Sequence, residues 1–294
     1  MHIPVMLKNC IDGLAINPAG IYIDATYGRG GHSQAILDSL GPKGSLICFD
    51  QDVEAVAHAK TRFLSDERVM VIHASFMKMH STLSGLGLLG KVDGVLMDIG
   101  VSSPQLDEAN RGFSFMRDGA LDMRMNQTQV LTAYEYLMSV SQTELADTIY
   151  TLGDERSSRR IARAIIDARK NKQLLNSTLC LANIIEQELG KRVGKKHPAT
   201  KTFQAIRMVV NNELGVLTEA LAQIPEILSV GGRLVVISFH GLEHIAVKDF
   251  IKKYRKKDAQ YGFKLLSKEQ PSQLEVKSNI RSRSAYTRIM EKCR

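Results

Sequence analysis

Apolar positions along the chain gather in short unbroken runs: "IYIDAT" (21–26), "SLICFD" (45–50), "VMVIHA" (69–74) and "DGVLMDIG" (93–100), with helix-like stretches between them. Unbroken runs are the pattern of strands buried on both faces, and helical spacers between them predict βαβ crossovers and a parallel sheet. A fifth run, "GGRLVVISFH" (231–240), arrives only after a gap far too long for one crossover. Within that gap "RRIARAIIDARK" puts Ile161, Ala162, Ile165 and Ile166 on one face and Arg159, Arg160, Arg163 and Arg169 largely on others, the spacing of an amphipathic helix. The stretch 203–228 reads as a single crossover helix returning the chain to the sheet, ended by Pro225 and Gly231. The predicted fold class is therefore α/β, a Rossmann-like sheet (1–104 and 203–294) interrupted by an inserted helical domain (105–202). "SAYTRIMEK" (284–292) is expected to be a closing strand, antiparallel to the rest.

The first run feeds into "DATYGRGGHS" (24–33). Gly28, Gly30 and Gly31 allow positive φ and close approach to a ligand, as a strand-to-helix turn at the carboxyl edge of a nucleotide-binding sheet requires. The dinucleotide fingerprint would want glycine where Ser33 stands, and the P-loop Gly-Lys-Ser/Thr is missing. An ordinary glycine turn is the alternative. Asp50 follows Gly28 by 22 residues at the end of the second run, where a carboxylate can accept both hydroxyls of an adenosine ribose, in NAD and S-adenosylmethionine alike. Asp24 and Asp98 end the first and fourth runs. Carboxylates there would repel a pyrophosphate and attract a cationic amino acid moiety, which favours the sulfonium cofactor, unless both merely cap turns.

Composition narrows the class. The chain has 294 residues, 44% of them hydrophobic, which suits one large core with an insertion. No stretch approaches a membrane span, and "MHIPVMLKNC" lacks the features of a signal peptide, so a cytoplasmic protein is expected. Cys10, Cys48, Cys180 and Cys293 form no C-x-x-C pair and read as buried reduced thiols, with no metal site. The net charge of +8 divides into −6 over residues 1–150 and +14 over residues 151–294. Such asymmetry favours a polyanion, RNA or DNA, facing the second half, against a merely solvated basic surface. Arg159, Arg160 and Arg163 are the candidate RNA contacts. "KKYRKK" (252–257) and "RSRSAYTR" (281–288) interleave cations with tyrosines, which suits phosphate contact with stacking, the alternative for either run being a solvated face of a terminal helix.

"DIGVSSPQLDEANRGFSFMRDGALDMRM" (98–125), "HPATKTFQAIRMVVNNEL" (197–214) and "VVISFHGLEH" (236–244), together with the glycine loop, closely resemble the RsmH/MraW family, bacterial small-subunit (16S) ribosomal RNA cytosine-N4 methyltransferases. The resemblance runs nearly end to end. It implies a class I methyltransferase sheet with a helical substrate-recognition insert, and S-adenosyl-L-methionine held by Gly30, Gly31, His32, Asp50, Phe76, Asp98 and Gln105. It also implies a target cytosine in the decoding region, with the small ribosomal subunit as partner. Homodimerisation and the choice between naked RNA and assembled subunit stay open. The family pattern "FHSLED" departs here at Gly241 and His244, so no role is carried over to those positions.

A cytosine N4 amine is a poor nucleophile because its lone pair is delocalised, so positioning and hydrogen-bond acceptance carry the chemistry. Asp98, Ser102 and Ser103 are the catalytic candidates; the serines could equally form the turn into the insert. Methylation at C5 would need a thiolate, and no cysteine lies in the loop after the fourth run. A non-catalytic RNA-binding assembly factor, or a methyltransferase acting at another nucleic-acid position, are the other readings. His240, Glu243 and His244 spell H-x-x-E-H, a zinc signature, but a strand delivers His240 and no third ligand is identifiable. His240 is better read as a substrate-side or capping residue.

Overall fold

The computed structural model describes residues 4–190, 197–255 and 260–294. Seven strands, β1 (Ile21–Asp24), β2 (Ser45–Asp50), β3 (Val69–His73), β4 (Val92–Asp98), β5 (Leu228–Ser238), β6 (Phe263–Glu269) and β7 (Tyr286–Lys292), form one sheet in the order β3-β2-β1-β4-β5-β7-β6. The first five are parallel, and β7 runs antiparallel between β5 and β6. Chain order reverses between β1 and β4, which opens a crevice at their carboxyl ends. The unbroken apolar runs have the predicted cause. Ile23, Val95, Met97, Leu234 and Val236 enter the core on one face of the sheet, and Tyr22, Leu96, Val235 and Ile237 enter the core on the other.

The chain divides into two compact units, one of residues up to Gly100 with Leu214–Arg294, the other Val101–Glu213. The second is helical, with helices Ala133–Ser139, Gln142–Gly153, Ser158–Lys170, Thr178–Leu189 and Thr200–Val210 around a core of its own. Ile161, Ala162, Ile165 and Ile166 are buried in it, on the face that the periodicity predicts.

The expected single helix over 203–228 is two helices, Thr200–Val210 and Glu213–Ile227. They part at Asn211 and Asn212, where Asn212 takes φ 45. The Asn211 amide accepts from Met125 N and donates to the Met123 carbonyl, both at 2.7 Å, which ties this corner into the helical unit. Phe203, Ile206 and Val210 belong to that unit's core, so residues 203–213 lie outside the sheet unit to which they were expected to belong. Neither Pro225 nor Gly231 ends the helix: Pro225 lies inside it, and Gly231, at φ +83, sits within β5 beside a break in its register with β4. β6 is an addition to the expected strands. It is an edge strand with charged Lys264 and Lys268 exposed along it, a pattern that resists further pairing.

Candidate active site

The glycine loop is spliced to the sheet by backbone bonds: Ala25 N donates to the Leu96 carbonyl at 2.9 Å and Tyr27 N to that of Phe49 at 3.0 Å. Gly28 and Gly30 take φ 56 and 70, the left-handed region that favours glycine. A Cβ on Gly30 would stand 2.5 Å from the Tyr27 ring, and one on Gly31 2.2 Å from Pro4. The glycines are thus demanded by the loop's own packing as well as by its dihedrals. The helix Gly31–Ser39 starts directly from this loop.

Three carboxylates stand at the ends of β1, β2 and β4, and their environments separate their roles. Asp24 is buried with both oxygens engaged, Oδ2 by the Ser33 hydroxyl at 2.6 Å and Oδ1 by Thr26 N at 3.1 Å. It is a turn cap. Asp50 accepts from Gly28 N at 2.8 Å and Asp52 N at 2.9 Å, so it fixes the loop it faces. Each of its oxygens retains a further lone pair for a hydroxyl donor. Asp98 differs: Oδ1 is shut off from solvent and has no hydrogen-bond partner among the described residues, while Oδ2 lies 3.8 Å from His32 Nδ1. Its backbone N–H donates to Thr26 Oγ1 at 2.7 Å, which fixes the carboxylate's origin. His32 is buried, with Nε2 3.0 Å from the Val5 carbonyl. A carbonyl only accepts, so Nε2 carries a proton, and Nδ1 is the ring atom that faces Asp98. Burial pushes the carboxyls of both Asp50 and Asp98 up to about 6; for Asp98 the His32 ring partly opposes the rise, while Asp24 and Glu243 add to it.

This donor set fits S-adenosylmethionine. An unsatisfied buried carboxylate oxygen suits an ammonium donor, Asp50 suits two ribose hydroxyls, and a pyrophosphate would meet like charge. The remaining expected residues sort by unit. Phe76 opens the turn Phe76–Lys78 after β3 and packs against the main core of the sheet unit. Gln105 lies in the helical unit, where its buried side chain accepts from Ser102 N at 2.9 Å in a capping box that starts the helix Ser103–Asp107. Ser102 is that helix's N-cap and Ser103 its first residue, so both do form the turn into the insert. Arg159, Arg160 and Arg163 are all exposed. Arg160 is engaged by Glu188 (Nε to Oε1 2.9 Å, with a second bond to the Glu188 carbonyl), whereas Arg159 and Arg163 pair with no described carboxylate.

His240 caps the helix Gly241–Tyr254, whose buried Glu243 accepts from Phe239 N at 2.7 Å. His244 is held elsewhere, with Nδ1 2.7 Å from Ser238 Oγ, so the two histidines of H-x-x-E-H do not share a ligand position. Cys10 and Cys48 are buried thiols as expected; Cys180 is half-buried and Cys293 exposed, because one lies near a helix start and the other in the terminal tail. Of "KKYRKK", Lys256 and Lys257 lie outside the described residues. No described helix is long and apolar enough to cross a membrane. Sequence reasoning missed Thr26 and Ser33, which set Asp98 and Asp24 apart, although both stand in the quoted glycine loop.

A Rossmann-like sheet with its seventh strand antiparallel between the fifth and sixth, and with these carboxylates at the switch point, defines an S-adenosylmethionine-dependent methyltransferase. Residues 1–293 match the MraW methylase family, and the chain belongs to it. It is 47% identical over 306 residues to ribosomal RNA small subunit methyltransferase H of Alteromonas mediterranea, covering 99% of this chain and 97% of that one. The protein of the same description from Coxiella burnetii is 44% identical over 303 residues, with 99% and 98% covered. Among solved structures, an rRNA methylase from Streptococcus thermophilus has TM-score 0.47 and 14% identity, with 100% of both chains covered.

The raised carboxyls give a first prediction. Ammonium and hydroxyl donors favour ionised Asp98 and Asp50, so cofactor affinity should weaken as pH falls through about 6, approaching tenfold per pH unit for each group that must ionise. Folding without cofactor has the opposite sign. Both carboxyls titrate above their ordinary 3.8, so between about 4 and 6 the native state holds protons that the unfolded chain has lost, and stability falls as pH rises through that window. Calorimetric titrations from acid to neutral pH check the binding term; an affinity flat across that range contradicts it.

Proposed function

We propose that this chain transfers a methyl group to the exocyclic N4 of a cytosine in the decoding region of small-subunit ribosomal RNA. The observation that carries the proposal is the buried, unsatisfied Oδ1 of Asp98 at the switch point, in a sheet unit whose buried thiols, Cys10 and Cys48, are unsuited to attack. When bound, S-adenosylmethionine supplies an electrophilic methyl on its sulfonium. Gly30, Gly31, His32, Asp50, Phe76 and Asp98 hold it, and the role implied for Gln105 belongs to the same proposal. Asp98 also accepts a hydrogen bond from the amine, which localises its lone pair and orients it. Methylation at C5 is disfavoured, since it needs a thiolate to add at C6, and burial pushes the Cys10 and Cys48 thiols up and keeps them protonated. Ser102, the N-cap, and Ser103, the first residue of the same helix, stay the other polar candidates of this loop.

The basic exposed face of the helix Ser158–Lys170 is assigned to RNA through Arg159 and Arg163. Replacing either with alanine should reduce the magnitude of the log-affinity against log-salt slope by about 0.7 to 0.9, without changing cofactor affinity. Arg160→Ala should change it less, because Glu188 already neutralises that guanidinium. A slope unchanged from wild type in all the variants would make these arginines ordinary surface charges. Catalysis itself is tested by incubating the protein with methyl-labelled cofactor and unmodified subunits or naked rRNA. Label should enter the RNA; subunit binding without transfer would favour an assembly factor.

A further inference from the structure

The register of β6 against β7 sets Lys268 directly opposite Arg288. Directly opposed residues project from the same face of an antiparallel pair, and like charges so placed are destabilising unless neutralised. Both cations lie against one ring, with Lys268 Nζ 4.8 Å and Arg288 Cζ 5.8 Å from the centre of Tyr286. Arg288 is only 4% exposed, yet its partners are neutral: Nη1 donates to Ser238 Oγ at 3.3 Å and lies 3.4 Å from His244 Nδ1. Neither cation forms an ion pair with a described carboxylate. Glu243, whose charge reaches His244, already accepts from the backbone N–H groups of Phe239 and His240. Buried charges are ordinarily paired, so this pair calls for an anion from outside the chain. The cluster also sits at the working edge of the sheet: Ser238 is the last residue of β5, next to Ile237, which pairs with Asp98.

We infer that Arg288 and Lys268, backed by His244 and Tyr286, form a binding site for one phosphate group of the substrate RNA backbone. Planar guanidinium and mobile ammonium together suit a phosphodiester, the first by its fork of N–H donors and the second as a point charge. With Nδ1 accepting from Arg288, the neutral His244 ring carries its proton on Nε2 as a further donor. Lys268 is exposed and can reach an incoming strand, while the buried Arg288 is preorganised by Ser238 and Tyr286. The inference rests on the RNA reading above for the source of the phosphate, and not for the site.

The test compares wild type with Lys268→Ala and Arg288→Gln, using the full chain, a single-stranded RNA oligonucleotide across a range of salt, and inorganic phosphate followed by the His244 imidazole resonances. Lys268→Ala should keep its melting temperature and cofactor affinity, and should lose about 0.7 from the magnitude of the RNA salt slope. Arg288→Gln, where it folds, should lose at least as much. Phosphate should shift the His244 resonances saturably in wild type and more weakly in Lys268→Ala. If wild type fails to bind RNA while phosphate still gives those shifts, the site stands and the RNA reading fails. Unmoved His244 resonances with an unchanged slope in Lys268→Ala would overturn the site. So would a Lys268→Ala variant that lost cofactor affinity alone, since the anion would then be the cofactor's own carboxylate.

Discussion

Asp50→Asn is expected to cut S-adenosylmethionine affinity by two orders of magnitude or more while leaving a folded protein. The carboxylate accepts from Gly28 N and Asp52 N, and is placed to accept from two ribose hydroxyls as well. Asparagine keeps one acceptor oxygen and turns an N–H₂ donor toward one of the two backbone N–H groups, which can only donate. Charge-assisted hydrogen bonds are worth about 1.5 to 3 kcal/mol each, roughly ten- to hundredfold in affinity per bond. Asparagine is preferable to alanine because the loop's geometry depends on the same side chain, and Asp50→Ala would confound binding with a displaced Gly28. Calorimetry on variants with unchanged circular dichroism and melting checks the result; wild-type affinity in Asp50→Asn would remove the ribose assignment.

The second large effect is expected at Asp98. Its buried Oδ1 lacks a partner among the described residues, so it offers an acceptor to the cofactor's ammonium and to the target amine. Asp98→Asn should weaken cofactor binding by about ten- to hundredfold, the range for one charge-assisted bond. Turnover at saturating cofactor should fall further, because the lost acceptor also acts on charge that develops only in the transition state. Single-turnover rates at saturating cofactor separate the two losses. Turnover restored in full by excess cofactor would confine Asp98 to binding.

The five parallel strands were legible because a strand buried on both faces leaves an unbroken apolar run, as Leu234 to Ile237 do in β5. β6 was not, since its alternating Lys264, Leu265, Leu266, Ser267 and Lys268 reflect an edge exposed on one side, a pattern shared with surface helices. Apolar periodicity continues through 203–228 and masks the one local signal of the corner, the Asn211–Asn212 pair; the corner is held by side-chain bonds to Met123 and Met125, far away in sequence. In the site, the position of Asp50 at the end of β2, facing the glycine loop, could be read from spacing alone. Asp24 and Asp98 could not be told apart, because Ser33 and Thr26 reach them only once the loop has folded. The engagement of Arg160 by Glu188 and the opposition of Lys268 and Arg288 are likewise products of tertiary pairing and strand register.

Nucleoside mass spectrometry of small-subunit rRNA, after reaction of the wild-type protein with labelled S-adenosylmethionine and unmodified subunits, tests the central claim most directly. The carboxylate-lined site, with the Cys10 and Cys48 thiols held protonated by burial, predicts one labelled product, N4-methylcytidine, mapping to a decoding-region cytosine and strongly reduced with Asp98→Asn at equal time. Label recovered as 5-methylcytidine or as a ribose 2′-O-methyl nucleoside would contradict the proposed reaction even with the family, fold and cofactor unchanged.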